Sequence, residues 1–108
     1  MEKYKVFIDT QAKQDLKEIF IYMAINDGSS LANKLLETLE EACYKLEEFP
    51  ERGHIPQELK QTGINKYLEI HSNPYRIIYE IEKNIIYIHC VLDGRRDIQE
   101  ILNERMLR

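Results

Sequence analysis

Apolar residues recur at two different spacings along this chain. Lys3 to Ile8 reads Lys-Tyr-Lys-Val-Phe-Ile, the aromatic and β-branched texture of a short strand. From Ala12 the spacing changes to three and four, through Leu16, Ile19, Phe20 and Met23, which places these residues on one helical stripe. Asp9 or Thr10 can cap that helix, because a side-chain oxygen takes up a free amide N–H. Asn26-Asp27-Gly28 ends it, with Gly28 expected in a left-handed conformation. Ser29 or Ser30 is expected to cap a second helix with apolar positions Ala32, Leu35, Leu36, Leu39, Ala42, Cys43, Leu46 and Phe49, stopped by Pro50. So short a connection folds the two helices back as an antiparallel pair, whose apolar stripe reads as core.

Gly53, Pro56 and Gly63 mark residues 51–65 as a connecting loop, with one helical turn around Gln57 to Gln61. Tyr67 to His71 reads as a strand and Asn73-Pro74 as a turn. Tyr75 to Glu82 and Ile85 to Leu92 are the clearest strands, joined tightly at Lys83-Asn84. Asp97 caps a last helix carrying Ile98, Ile101, Leu102 and Met106 on one side. The order β-α-α-β-β-β-α predicts an α+β fold in one domain over residues 1–108. Its four-stranded sheet is antiparallel-dominated, with the helical hairpin on one face.

Strand alternation separates Tyr75, Ile77, Tyr79 and Ile81 from Arg76, Ile78, Glu80 and Glu82. The first set suits the helices, leaving Arg76 on the more open face. There it either binds an anion or joins an ion pair, for which Glu69 on the preceding strand is within reach. In Asp93-Gly94-Arg95-Arg96-Asp97, Gly94 permits a sharp turn and two arginines stand beside a helix start, a place that favours anions. Arginine's planar fork suits phosphate or carboxylate. The alternative leaves Arg95 in solvent and Arg96 paired with a nearby carboxylate.

Composition narrows this picture. The net charge of −4 argues against a chain that wraps nucleic acid, so any phosphate contact must be local. Residues 1–65 hold 8 basic and 12 acidic groups, so the helical half is acidic. No apolar run approaches the ~20 residues of a membrane helix, and no secretory signal is evident, which makes the cytoplasm the expected location. Cys43 and Cys90 are expected as reduced core thiols. His54, His71 and His89 are scattered, with no spacing that reads as a metal site. No cofactor is expected.

Tyr75-Arg76-Ile77-Ile78-Tyr79, followed by an apolar strand and Asp93-Gly94-Arg95-Arg96-Asp97, resembles the C-terminal signature of the RelE/ParE toxin superfamily. Ala12-x-x-x-Leu16-x-x-Ile19-x-x-Tyr22 and Phe49-Pro50-x-x-Gly53 are similar to its upstream patterns, so the resemblance spans nearly the whole chain. It implies the toxin of a type II toxin–antitoxin (plasmid stabilisation) pair, neutralised by a cognate antitoxin, with a homodimer open as an assembly state. It also implies one of two activities: inhibition of DNA gyrase in ParE-like members, or cleavage of mRNA on the ribosome in RelE-like members. The ribonuclease pattern is matched by Arg76 with Arg95 and Arg96, and more loosely by Glu58. His71 and His89 are acid–base candidates, each with an ordinary strand role as the alternative. The pattern is missed where Tyr67, Glu69 and His71 occupy the preceding strand, and in the last helix, which lacks tyrosine and histidine. The ParE-like branch, acting by binding, is therefore the favoured reading. A degenerate, non-toxic antitoxin-binding module is the third.

Overall fold

The computed structural model describes residues 3–106. Its elements run β1 (Lys5–Ile8), α1 (Thr10–Asp27), α2 (Ser29–Tyr44), a 3-10 turn at Lys45–Glu47, another at Gln57–Leu59, β2 (Tyr67–Ser72), β3 (Tyr75–Glu82), β4 (Ile85–Asp93) and α3 (Ile98–Arg105). The predicted order and α+β class hold. The sheet order is β1-β4-β3-β2. β1 runs parallel to β4, while the β2–β3 and β3–β4 pairs are antiparallel.

Caps set most helix boundaries. Asp9 Oδ1 accepts the Ala12 N–H at 2.9 Å, and Asp97 Oδ1 accepts that of Glu100 at 3.1 Å. Between α1 and α2 the expectation needs correction. Gly28 adopts φ 98° and ψ 156° rather than the left-handed helical conformation, a region open essentially to glycine alone. Gly28 also serves as the α2 N-cap, so neither serine caps with its side chain. Nor does Pro50 end α2. The regular helix stops at Tyr44 and tightens into a 3-10 turn.

The predicted β3 alternation is observed, and it feeds two cores. Ile77 and Tyr79 pack with Ile8, Leu16, Leu39, Leu46, Ile86 and Val91 under the helical hairpin. Ile78 faces the other way, onto Cys90, Leu92, Leu59, Ile98 and Leu102. The face expected to be open is thus closed by α3 and the 55–66 segment, giving three layers instead of two. A β-bulge explains how the continuous apolar run of β4 serves both cores. Ile78 pairs with Cys90 but Tyr79 with Ile88, so His89 is the extra residue. Before it Ile86 and Ile88 face the hairpin; after it Val91 does, while Cys90 and Leu92 turn to α3.

Tyr79, fully buried, donates its hydroxyl to the Pro50 carbonyl at 2.7 Å and accepts the Gly53 N–H at 3.1 Å. This gives the Phe49-Pro50-x-x-Gly53 spacing its physical reason. A Cβ on residue 53 would lie 2.6 Å from the Tyr79 hydroxyl and 2.7 Å from the Glu69 carbonyl, so only glycine lets the loop dock.

Candidate functional site

Of the sequence-predicted site residues, Arg76 is held most tightly. The β2–β3 register puts His71 opposite Arg76, with Glu69 on the same face of β2 two residues earlier. Arg76 Nε and Nη2 donate to the two Glu69 oxygens, both at 2.6 Å. Nη1 and Nη2 donate to Glu58 Oε2 and Oε1 at 2.8 and 2.7 Å. Four of the five guanidinium N–H groups therefore end on protein carboxylates. Glu58, then Glu69, push the Arg76 pKa further up, and Arg76 holds the Glu58 carboxyl below its ordinary value. The side chains of Glu69 and Arg76 are 1% and 15% exposed, so Arg76 is a partly buried ion-pair centre. The two carboxylates leave the Glu58–Glu69–Arg76 cluster itself at a formal charge of −1, so the guanidinium is already occupied. His54, His71, Gln57 and Lys60 complete a cleft of about 290 Å³ around it.

Arg95 and Arg96 do not join this cluster. The Gly94 N–H donates to the Pro74 carbonyl at 2.8 Å, and a Cβ there would come within 2.9 Å of that oxygen. This fixes the turn. Arg95 folds back on Asp93, with Nε to Oδ1 at 2.9 Å and Nη2 to Oδ2 at 2.6 Å, and its side chain stays 77% exposed. Arg96 borders a different cleft with Asp15, Glu18, Tyr22 and Tyr75, on the hairpin side of the sheet. The three arginines that read together in sequence are thus divided between two faces.

Two networks escaped the sequence reading. Arg105 of α3 reaches around the sheet to α1, where Nη1 and Nη2 donate to Asp15 Oδ2 and Oδ1, each at 2.8 Å. Asp15 also accepts the Val91 N–H at 3.0 Å. The reason is topological. β1 covers β4 only as far as Ile88, so the next stretch of β4 is an edge, and buried Asp15 takes up its free donor. A signal existed: Asp15 sits inside the Ala12–Leu16–Ile19 stripe, on the buried side of α1. The second network centres on His89, whose Nδ1 lies 2.8 Å from Asp9 Oδ2 and whose Nε2 lies 2.9 Å from Glu80 Oε1. Alternation puts His89 on the Glu80 face, but only the parallel pairing of β1 with β4 brings Asp9 to its other nitrogen.

Both thiols are free and buried, as expected. Burial raises Cys43 to about 12 and Cys90 to about 11.

An apolar opening lies elsewhere, between β1, α1 and α2. It is a groove of about 550 Å³ lined by Val6, Phe7, Leu16, Phe20, Leu36 and Tyr44, with Lys13, Lys17 and Glu40 as its charged members. Phe7 and Tyr44 are about half exposed (52% and 49%), so the groove presents aromatic surface to solvent.

Comparison with known proteins places this architecture. The family described as ParE toxin of type II toxin–antitoxin system, parDE, matches residues 6–98. The chain belongs to the ParE toxin family. No curated protein matches it. Among solved structures, the chromosomal ParDE system of P. aeruginosa superposes with a TM-score of 0.67 at 14% identity, covering 82% of this chain and 94% of that one. The RelBE2 toxin–antitoxin complex of Mycobacterium tuberculosis gives 0.64 at 20% identity, with 86% and 93% covered. The YoeB dimer of Staphylococcus aureus gives 0.54 at 21% identity, with 82% and 94% covered. At these identities the likeness is one of fold. This ParE-family chain therefore keeps the superfamily frame while its arginines serve different parts of it. Among the described residues, no helix is long and apolar enough to cross a membrane.

Proposed function

We propose that this type II toxin acts by binding a target, DNA gyrase, rather than by cutting RNA. The separation of its arginines carries the reading. Metal-independent RNA cleavage needs cationic groups gathered at one phosphate, with a base and an acid beside them. Here Arg76 is neutralised by Glu58 and Glu69, Arg95 by Asp93, and Arg96 lies across the sheet. The test is a supercoiling assay with gyrase and purified protein. Inhibition at micromolar concentration is expected. A folded protein without effect refutes the gyrase target, and absence of growth arrest on induction would point to a non-toxic binding module.

One observation favours a ribonuclease as the second reading. His71 Nε2 stands 2.7 Å from Glu69 Oε1 beside Arg76, so an acid–base group and a cation share one cleft. That reading assigns catalysis to Arg76 with Arg95 and Arg96, assisted by His71 and Glu58. It requires mRNA cleavage on translating ribosomes that Arg76→Ala abolishes.

The cognate antitoxin docks as an amphipathic helix in the β1–α1–α2 groove. Strand addition is less suited to either sheet edge. Glu47 Oε2 already accepts the outward Val6 N–H of β1 at 2.8 Å, and His54 bridges the outer side of β2 at Glu69. Apolar residues of the helix would meet Phe7, Phe20, Leu36 and Tyr44, and its acidic residues Lys13 and Lys17 rather than the arginines. Phe20→Glu should abolish co-purification with the antitoxin while leaving the fold intact. Undiminished co-purification excludes the groove.

A further inference from the structure

His54, Glu69 and His71 are scattered in the chain but adjacent in space. His54 and Glu69 form an antiparallel bridge, with the His54 N–H donating to the Glu69 carbonyl at 3.0 Å and the Glu69 N–H to that of His54 at 2.7 Å. His71 lies two residues further along β2 and so shares the Glu69 face. The two imidazole rings meet edge-on with centroids 5.4 Å apart. One ligand atom from each of the three residues lies within 4.8 Å of the others.

We propose that His54, Glu69 and His71 form a binding site for a borderline-soft divalent cation of the Zn²⁺ type, at the mouth of the Arg76 cleft. Two imidazoles and a carboxylate are a donor set that zinc accepts, leaving a fourth position to water. The carboxylate is already aimed: Glu69 is buried, and Arg76 grips both its oxygens at 2.6 Å, the kind of outer partner that orients a metal ligand. Glu58 offsets the Arg76 charge, leaving Glu58, Glu69 and Arg76 at a formal −1 beside the ion, with Lys60 a further cation of the cleft lining. Both histidines are exposed, so their rings can turn without disturbing the core. Among the described residues no hydrogen-bond partner takes up the His54 ring nitrogens.

The His71 Nε2–Glu69 Oε1 hydrogen bond of 2.7 Å marks where the ion enters. Metal–ligand bonds of about 2.0–2.2 Å at a tetrahedral angle need these two atoms about 3.3 Å apart, a small opening. The proton on Nε2 leaves, or moves to Nδ1, and its lone pair turns to the metal. Mg²⁺, which prefers oxygen ligands and near-octahedral geometry, does not fit this set. The site does not require the gyrase reading, but an ion on His71 takes that ring out of the acid–base role the ribonuclease reading gives it.

Isothermal titration of tag-free, full-length protein with ZnCl₂, and in parallel with MgCl₂, tests it. One Zn²⁺ per chain and no Mg²⁺ binding are expected. His54→Ala and His71→Ala should each weaken Zn²⁺ at least ~10-fold, the loss that even an outer-shell partner can cause. Because both residues are exposed, unchanged circular dichroism should accompany the loss. Zn²⁺ should also raise the melting temperature of the wild type but not of the double variant. No Zn²⁺ binding by folded wild type, or wild-type affinity in the folded double variant, overturns the proposal.

Discussion

Removing the Asp15 carboxylate should destabilise this protein more than any change to its arginine-rich turn. Asp15→Ala deletes the acceptor of three hydrogen bonds at 2.8, 2.8 and 3.0 Å, two from Arg105 and one from the Val91 N–H. Asp15 is 5% exposed, and the Arg105 side chain only 22%. Breaking a buried ion pair by removing one member costs about 3–5 kcal/mol, because the other charge is left unpaired. Arg105 keeps some access to water, which favours the lower end, while the Val91 N–H adds about 1 kcal/mol of unmet donor. The expected loss is therefore about 3–4 kcal/mol. With a denaturant slope of about 1–3 kcal/mol/M in urea, the midpoint falls by about 1–4 M. Asp15→Asn keeps an acceptor for Val91 but not the charge, and should lose about half as much. Urea titration followed by circular dichroism measures both. A loss below about 1 kcal/mol in Asp15→Ala would refute the idea that this pair anchors α3 to α1 around the β4 edge.

Glu58 gives the acid limb of stability a specific source. Arg76 depresses its folded pKa, so its contribution is present above the ordinary carboxylate range and is lost as pH falls through the depressed value. Glu58→Gln should cost about 1–2 kcal/mol at pH 7, the scale of a charge-assisted hydrogen bond, and the gap to wild type should close toward pH 3 in urea titrations. With the Cys43 and Cys90 thiols raised to about 12 and 11, a thiol-specific disulfide reagent at pH 8 should label neither in the folded chain and both in denaturant; labelling of folded protein would contradict their burial. Gly53→Ala forces a Cβ to within 2.6 Å of the Tyr79 hydroxyl and should lower stability by about 1–3 kcal/mol, read as a drop in melting temperature.

The sequence by itself determined the element order, the β3 faces, the caps at Asp9 and Asp97 and the ion-pair reach from Glu69 to Arg76. Each depends on residues a few positions apart or on the fixed period of a strand, which local sterics and hydrogen bonding impose. The Pro50 stop and the serine caps failed because a 3-10 turn and a glycine with φ 98° gave the backbone alternatives that pattern cannot rank. The tertiary structure alone decided what the chemistry-bearing side chains face. α3 crossed to the second face of the sheet and closed over Ile78, Cys90 and Leu92, and the loop before β2 brought Glu58 to Arg76. The parallel register of β1 on β4 set Asp9 against His89, which closes that ring between Asp9 and Glu80. The turn at Gly94 sent Arg96 to the hairpin side, away from Arg76. The bridge from His54 to Glu69 made neighbours of two histidines that linear spacing kept apart. Spacing constrains which residues can share a face, whereas strand register and layer closure determine which of those faces meet.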